Sequence, residues 1–160
     1  MRFIAAVLFF CSLSSAYAHE LIGRVVGISD GDTLTLLVSG RERQKVRLAG
    51  IDAPEKSQPF GQRSKEWLSA LAYNDIVSVT WNKRDRYGRI LWKVLHKGTD
   101  VNLEMVVSGL AWHYKHYEME QPAADRRAYA LAEDRARSAH LGLWVETNPI
   151  PPWNYRRGVR

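Results

Sequence analysis

The sequence has 160 residues, which is enough for one domain with a hydrophobic core and too short for two comfortable ones. It carries 23 lysine and arginine residues against 17 aspartate and glutamate residues, a formal net charge of +6. A basic balance favours a polyanionic partner, either nucleic acid or a membrane surface. The single cysteine, Cys11, excludes an intramolecular disulfide and a cluster of thiolate metal ligands.

Residues 1–18 have the pattern of a secretory signal peptide. A positive start precedes an apolar run over 3–10, and Ala-Tyr-Ala at 16–18 fits the usual cleavage pattern. The run is far shorter than the roughly 20 apolar residues of a membrane-spanning helix, so we expect no stable membrane anchor. A buried N-terminal helix is the alternative interpretation. We expect a secreted or periplasmic protein, cleaved after Ala18, whose mature chain begins at His19 with a charge of +5.

Strand and helix patterns follow one another along the mature chain. Segments rich in β-branched and aliphatic residues predict five strands, over 21–28, 33–38, 46–51, 76–81 and 90–96. Apolar residues at helical spacing predict three helices, over 61–73, 101–108 and 123–140. This order predicts an α+β fold, a five-stranded barrel of the OB type with about three helices packed around it.

The domain boundaries follow from composition. We expect the barrel and its helices to occupy 19–148, followed by a proline-rich tail over 149–160. The prolines predict that the tail is not helical and runs as an extended strap, held by Trp153 and Tyr155. The basic end of the tail, from Arg156 onward, favours a solvated terminus over contact with nucleic acid or an anionic surface.

Three short charged clusters stand at predicted turns or strand ends. They are Asp-Gly-Asp-Thr at 30–33, Arg-Leu-Ala-Gly-Ile-Asp-Ala-Pro-Glu at 47–55, and Asp-Arg-Tyr-Gly-Arg at 85–89. Together they supply two oxygen ligands for a hard cation, a further carboxylate and two arginines. Such a set suits phosphodiester hydrolysis, because cations placed around the phosphate stabilise the charge that develops as water attacks. Each cluster alone also fits an ordinary turn, and their co-occurrence favours the chemical interpretation.

Two histidines, His113 and His116, lie among aromatic residues at 112–117. A second metal site or a general base is one interpretation of them. The favoured interpretation is a surface strand that lines a nucleic-acid groove, since interleaved aromatic and basic residues suit single-stranded nucleic acid. Zinc is not expected, because the mature chain has no cysteine and no tight histidine cluster.

The chain resembles the staphylococcal nuclease (thermonuclease) family over about 21–144. The three clusters above and Gly-Leu-Ala at 109–111 occur in the order of that family and with similar gaps. The resemblance implies an OB barrel, dependence on calcium, and hydrolysis of DNA and RNA that leaves 3′-phosphorylated products. We expect DNA and RNA as substrate partners and a monomeric protein.

The resemblance also implies the residues of the active site. Asp32 and Asp52 match the calcium carboxylates, and Ala53 stands where a backbone carbonyl completes the protein ligands, although the family often has threonine there. The implied catalytic residues are Arg47, Glu55 and Arg89. In the implied mechanism calcium and Arg47 hold the phosphate, Glu55 orients or deprotonates the attacking water, and Arg89 stabilises the transition state and the departing 5′ oxygen.

Three further positions are implied to bind substrate. Tyr87 matches a tyrosine beside the nucleotide phosphate, and Tyr117 matches an aromatic residue that stacks on a base. Lys115 replaces a second such aromatic residue, which indicates a different or weaker stacking arrangement. The main alternative function is a nucleic-acid-binding OB module without activity, and a basic domain that binds the cell envelope is another. The occupied catalytic and ligand positions favour the enzyme.

Overall fold

The computed structural model describes residues 19–84, 87–88 and 90–159, which form a closed sheet with helices around it. The strands are β1 (His19–Asp30), β2 (Thr33–Val38), β3 (Glu42–Leu48), β4 (Ile51–Asp52), β5 (Ile76–Arg84), β6 (Ile90–His96), β7 (Thr99–Asp100) and β8 (Trp112–His113). The α-helices are α1 (Gly61–Ala72), α2 (Val101–Val107), α3 (Ala123–Ser138) and α4 (Pro152–Tyr155). Two 3₁₀ segments lie at Lys115–Glu120 and Gly142–Val145.

The five longest strands form a barrel. They are hydrogen-bonded in the order β3, β2, β1, β5 and β6, and a parallel pairing of β3 with β6 closes the ring. The twelve residues of β1 allow it to pair with both β2 and β5, and its register with β2 shifts between Val25 and Gly27 and between Ile28 and Asp30. Such irregularities bend a strand, as closure of a small barrel requires. The five-stranded OB barrel with helices is confirmed.

Alternate residues of the barrel strands point inwards, as the two-residue period of a strand dictates. The buried strand residues include Val25, Leu34, Leu36, Val46, Leu48, Val77, Val79 and Val94. Each of the three long helices covers the barrel with a fully buried side chain, Leu68 from α1, Met105 from α2 and Tyr129 from α3. The Tyr129 hydroxyl donates to the Asp100 carboxylate at 3.0 Å, and the same carboxylate caps the first turn of α2.

Two expectations about local structure were wrong. The predicted strand over 46–51 is broken, because Gly50 has a φ of 74° and turns the chain, so that Ile51–Asp52 pairs instead with β8. The proline-rich tail is not extended throughout, since Pro152–Tyr155 forms a helical turn. Pro152 stands at the start of that turn, where its missing N–H leaves no hydrogen bond unmade.

The predicted signal segment, residues 1–18, lies outside the described residues, as do Asp85, Arg86, Arg89 and Arg160. Of the helices in the described ranges, none has the length and apolar character needed to cross a membrane.

We expect Leu34→Ala to lower the free energy of unfolding by about 2–5 kcal/mol, because it leaves a cavity in the barrel. Leu34 is 0% exposed, whereas Leu131 on α3 is 49% exposed and serves as the matched control. Leu131→Ala should change the free energy of unfolding by less than about 0.5 kcal/mol. Urea unfolding followed by tryptophan fluorescence measures both, and equal losses would contradict this core.

Candidate active site

The turn between β1 and β2 places Asp32 inside the protein. Gly31 in this turn lies so close to α1 and to the loop after β4 that a Cβ would be 1.9 Å from Ser64 Oγ and 2.7 Å from Ala53 Cβ. Asp32 is 2% exposed, and its Oδ2 accepts a hydrogen bond from the Ala53 backbone N–H at 2.8 Å. The Asp-Gly-Asp-Thr sequence therefore packs a carboxylate into the barrel edge and does not leave it on a surface turn.

Arg47 connects Asp32 to a second buried carboxylate. Arg47 lies on β3 opposite Thr33 of β2, which brings its side chain next to the turn. Its Nη1 donates to Asp32 Oδ1, and its Nη2 donates to Asp52 Oδ1 at 2.7 Å. Asp52 is fully buried on β4, which pairs with β8. One guanidinium thus bridges two carboxylates that come from different strands.

Burial has opposite effects on the acidic and basic members of this group. Burial raises the pKa of Asp32 to about 7; the charge of Arg47 acts to lower it, and the nearby Asp30 and Asp52 raise it further. Burial also acts to lower the pKa of Arg47, but the charges of Asp32 and Asp52 outweigh this effect and raise the pKa above its ordinary value. The site therefore keeps Arg47 charged, while ionised Asp32 is favoured by any additional cation beside it.

The loop after β4 brings Glu55 to the opening of the site. The Glu55 side chain is 39% exposed, and its backbone N–H donates to Gln58 Oε1 at 2.8 Å. Gln58 Nε2 in turn donates to the carbonyl of Ile150 at 3.0 Å. The position of the loop thus depends on the C-terminal part of the chain.

The C-terminal part also supplies a site residue that the sequence analysis missed. Arg156 follows α4, and its Nη1 donates to Glu55 Oε1 at 2.8 Å while its Nη2 donates to Asp52 Oδ2 at 2.8 Å. The expectation of a merely solvated end was wrong for this residue. The prolines and Trp153 did indicate a held segment, but no spacing in the sequence showed that an arginine beyond them would reach the site.

These side chains open onto a cleft of about 690 Å³. Arg47, Glu55 and Arg156 line the cleft, as do two of the predicted substrate-binding residues, Tyr87 and Tyr117. Both tyrosines are more than half exposed. The cleft therefore combines guanidinium groups with accessible aromatic rings, which suits a nucleic-acid strand.

Lys115 and the two neighbouring histidines differ in their surroundings: Lys115 and His116 are exposed, whereas His113 is buried. Lys115 Nζ lies 3.0 Å from Oε2 of the buried Glu133 on α3, and a direct role of Lys115 toward substrate stays a prediction. The expected surface strand was wrong, because His113 is 2% exposed and its backbone N–H donates to Glu133 Oε1 at 3.1 Å. His116 is exposed but lies in a 3₁₀ segment.

The predicted metal ligands Asp32, Asp52 and Ala53 lie together. Their oxygens are carboxylates and a backbone carbonyl, a set that hard cations prefer. Across residues 19–84, 87–88 and 90–159, no three His, Cys, Asp or Glu side chains form a group that could hold a metal ion. A cation here would complete its coordination with backbone or water oxygens. The predicted catalytic residue Arg89 lies outside the described residues.

Comparison with known proteins agrees with this fold. The chain matches the family described as staphylococcal nuclease homologue over residues 45–146. An uncharacterized endonuclease of Haemophilus influenzae is 46% identical over 151 residues, which cover 94% of this chain and 82% of that protein. A micrococcal nuclease of Shigella flexneri is 39% identical over 169 residues, 100% of this chain and 94% of that protein. The chain belongs to the staphylococcal nuclease family, and its relatives support a nuclease function with nucleic acid as substrate.

We expect Asp32 to make the calcium-free protein less stable as the pH rises from about 4 to about 7. Its folded-state pKa of about 7 exceeds the ordinary 3.8, so its stabilising effect is complete below 3.8 and is lost as the pH passes through 7. Urea unfolding in EGTA at about pH 5 and about pH 8 measures this slope. Asp32→Asn should flatten it, while Asp134→Asn, an exposed position on α3, should retain it. A slope unchanged by Asp32→Asn would contradict the expectation.

Proposed function

We propose that this protein is an exported, calcium-dependent nuclease that hydrolyses phosphodiester bonds of DNA and RNA and leaves 3′-phosphorylated products. The observation that carries the proposal is the bridge of Arg47 between the buried Asp32 and Asp52, beside Glu55 at an open cleft. Buried carboxylates next to an accessible guanidinium suit an anionic substrate that binds together with a cation. The Shigella flexneri relative named micrococcal nuclease supports the same activity.

The donor set fits calcium. Asp32 and Asp52 offer carboxylate oxygens that are shielded from water, and Ala53 would add its backbone carbonyl. The raised pKa of Asp32 shows that its negative charge is poorly solvated, and a divalent cation offsets such a cost. When bound, calcium supplies positive charge to the oxygens of the scissile phosphate.

Arg47 and Glu55 have separate tasks in the reaction. The Arg47 side chain lines the cleft and remains 19% exposed. A guanidinium has five N–H donors, so those that are not used by Asp32 and Asp52 can donate to a phosphate oxygen while the bridge is kept. Glu55, at the mouth of the site, orients the attacking water and accepts its proton or passes it on. Arg89 stabilises the transition state and the departing 5′ oxygen, a role that rests on the sequence resemblance.

We expect the purified protein to degrade single-stranded DNA in calcium and to lose this activity in EGTA. Glu55→Ala should lower the rate by about 10²- to 10⁴-fold, because the attacking water is no longer oriented. Glu66→Ala, on the exposed face of α1, is the matched control and should cut like the wild type. Tight binding of DNA by the wild-type protein without any cutting would make this an OB-fold binding module.

We also expect the full chain, expressed in a Gram-negative host, to be exported and cleaved after Ala18. Mass spectrometry of the periplasmic fraction and the medium should find an N-terminus at His19. Ala18→Arg should block cleavage, because the residue before the cleavage point must be small. Recovery of the wild-type protein from the cytoplasm with residues 1–18 still attached would contradict the proposal that the protein is exported.

A further inference from the structure

Residues 149–156, here called the C-terminal strap, are held against the active-site loop by polar contacts. The carbonyl of Ile150 accepts a hydrogen bond from Gln58 Nε2 at 3.0 Å. The hydroxyl of Tyr155 lies 2.9 Å from Ser57 Oγ. Both partners belong to the loop that carries Glu55, so the strap and this loop form one structural unit.

An aromatic contact holds the strap on its other side. The ring of Trp153 lies with its centroid 5.6 Å from that of the buried Trp112 and 5.3 Å from that of Tyr114. The helical turn α4 then fixes the next residues, and the Arg156 backbone N–H donates to the Pro152 carbonyl at 2.9 Å. The backbone of Arg156 is therefore placed by packing, and the arginine is not on a free end.

The guanidinium of Arg156 spans two carboxylates that serve different tasks. One nitrogen binds Oε1 of Glu55, and the other binds Oδ2 of Asp52, both at 2.8 Å. The hydrogen bonds that Arg156 donates to Asp52 and Glu55, together with the negative charges of these two residues, hold its pKa above the ordinary value. The side chain therefore stays cationic. A planar fork is suited to fixing the separation of two such groups.

Glu55 needs such support more than the other site residues do. Asp32, Arg47 and Asp52 stand on strands or directly beside them, whereas Glu55 lies on a loop with its side chain 39% exposed. A glutamate side chain loses considerable rotamer freedom when it is fixed. Within the described part of the chain, the hydrogen-bond partner of its carboxylate is Arg156.

We propose that Arg156 is a positioning residue: it fixes the Glu55 carboxylate in the cleft and links it to Asp52, which makes the C-terminal strap a working part of the active site. The inference rests on the proposed function. The hydrogen bond uses Oε1 of Glu55 and leaves Oε2 outside this contact, where it can face the attacking water. Arg156 acts through Glu55 and does not itself need to touch the substrate.

The first test is steady-state cutting of single-stranded DNA by the full exported protein in calcium. Arg156→Gln should lower kcat by about 10- to 100-fold with KM changed by less than about threefold, because a displaced Glu55 slows the reaction without weakening binding. Arg156→Lys keeps the positive charge but loses the planar guanidinium that can bind both carboxylates, and its kcat should lie between that of the wild type and that of Arg156→Gln. Arg157→Gln, the exposed neighbour, is the matched control and should behave like the wild type.

A double-mutant cycle separates positioning from a general structural effect. In a Glu55→Ala background, Arg156→Gln should change kcat by less than about twofold, because the Glu55 carboxylate is gone and Asp52 is still held by Arg47 and by the pairing of β4 with β8. An equal loss in both backgrounds, or no loss in the wild-type background, would overturn the inference. The inference would also be overturned if the loss of kcat disappeared after correction for the folded fraction of each variant, measured by urea unfolding.

A readout without catalysis distinguishes failure of this inference from failure of the proposed function. In EGTA, the side-chain NMR signal of the Arg156 guanidinium, assigned with Arg156→Gln, should shift and exchange faster with water in Glu55→Ala. An unchanged signal would show that the contact does not form and would overturn the inference. If the wild-type protein does not cut DNA in calcium, the proposed function fails, and the inference fails with it even if the signal shifts.

Discussion

A carboxylate that is removed from water requires a positive charge beside it, and Asp32 and Asp52 share the guanidinium of Arg47. This arrangement requires three chain segments to meet within hydrogen-bond distance. The pairing of β2 with β3 puts Arg47 next to the turn before Thr33, and the parallel pairing of β3 with β6 closes the barrel behind it. The rest of the fold can be understood as the frame that keeps these three side chains together while one edge stays open.

A second buried carboxylate shows what the open edge contributes. Glu133 on α3 accepts a hydrogen bond from the backbone N–H of His113 and forms an ion pair with Lys115. Groups of the protein itself therefore compensate its negative charge. In the active site, by contrast, the two guanidiniums of Arg47 and Arg156 face the three carboxyl groups of Asp32, Asp52 and Glu55. Full ionisation of Asp32, whose pKa is raised to about 7, would leave one net negative charge in this group. In the proposed function, a divalent cation would reverse that sign, and a site with a positive balance would attract a phosphodiester. Glu133 thus has a structural role, whereas in the proposed function a bound cation would complete the active-site group.

The parts of this site that the sequence could predict are local. Strand alternation, the turn at Gly31 and the short hairpin between Thr33 and Arg47 are all encoded within a few residues, so the barrel and its motifs were predictable. The break after β3 was missed because β4 pairs with β8, a distant segment of two residues that has no pattern of its own. Burial of His113 on β8 depends in the same way on Glu133, which lies twenty positions later on α3.

Arg156 shows the limit most clearly, because its two partners stand about a hundred positions earlier in the chain. Its place follows from a chain of contacts, in which Trp153 packs, α4 turns the backbone, and the side chain reaches back to the loop.

The result is an active site with two kinds of support. Asp52 lies on a strand and Asp32 in the short turn between two strands. Glu55 instead lies on a loop that the strap holds through a few hydrogen bonds and the packing of Trp153 against two aromatic rings. Since loop positions are less precise than strand positions unless outer contacts fix them, a disturbance of the strap should displace Glu55 more than Asp52, which β4 and Arg47 also hold. In the functions proposed above, the C-terminal strap would thus set the position of Glu55, and the barrel would set the positions of the proposed calcium ligands Asp32 and Asp52.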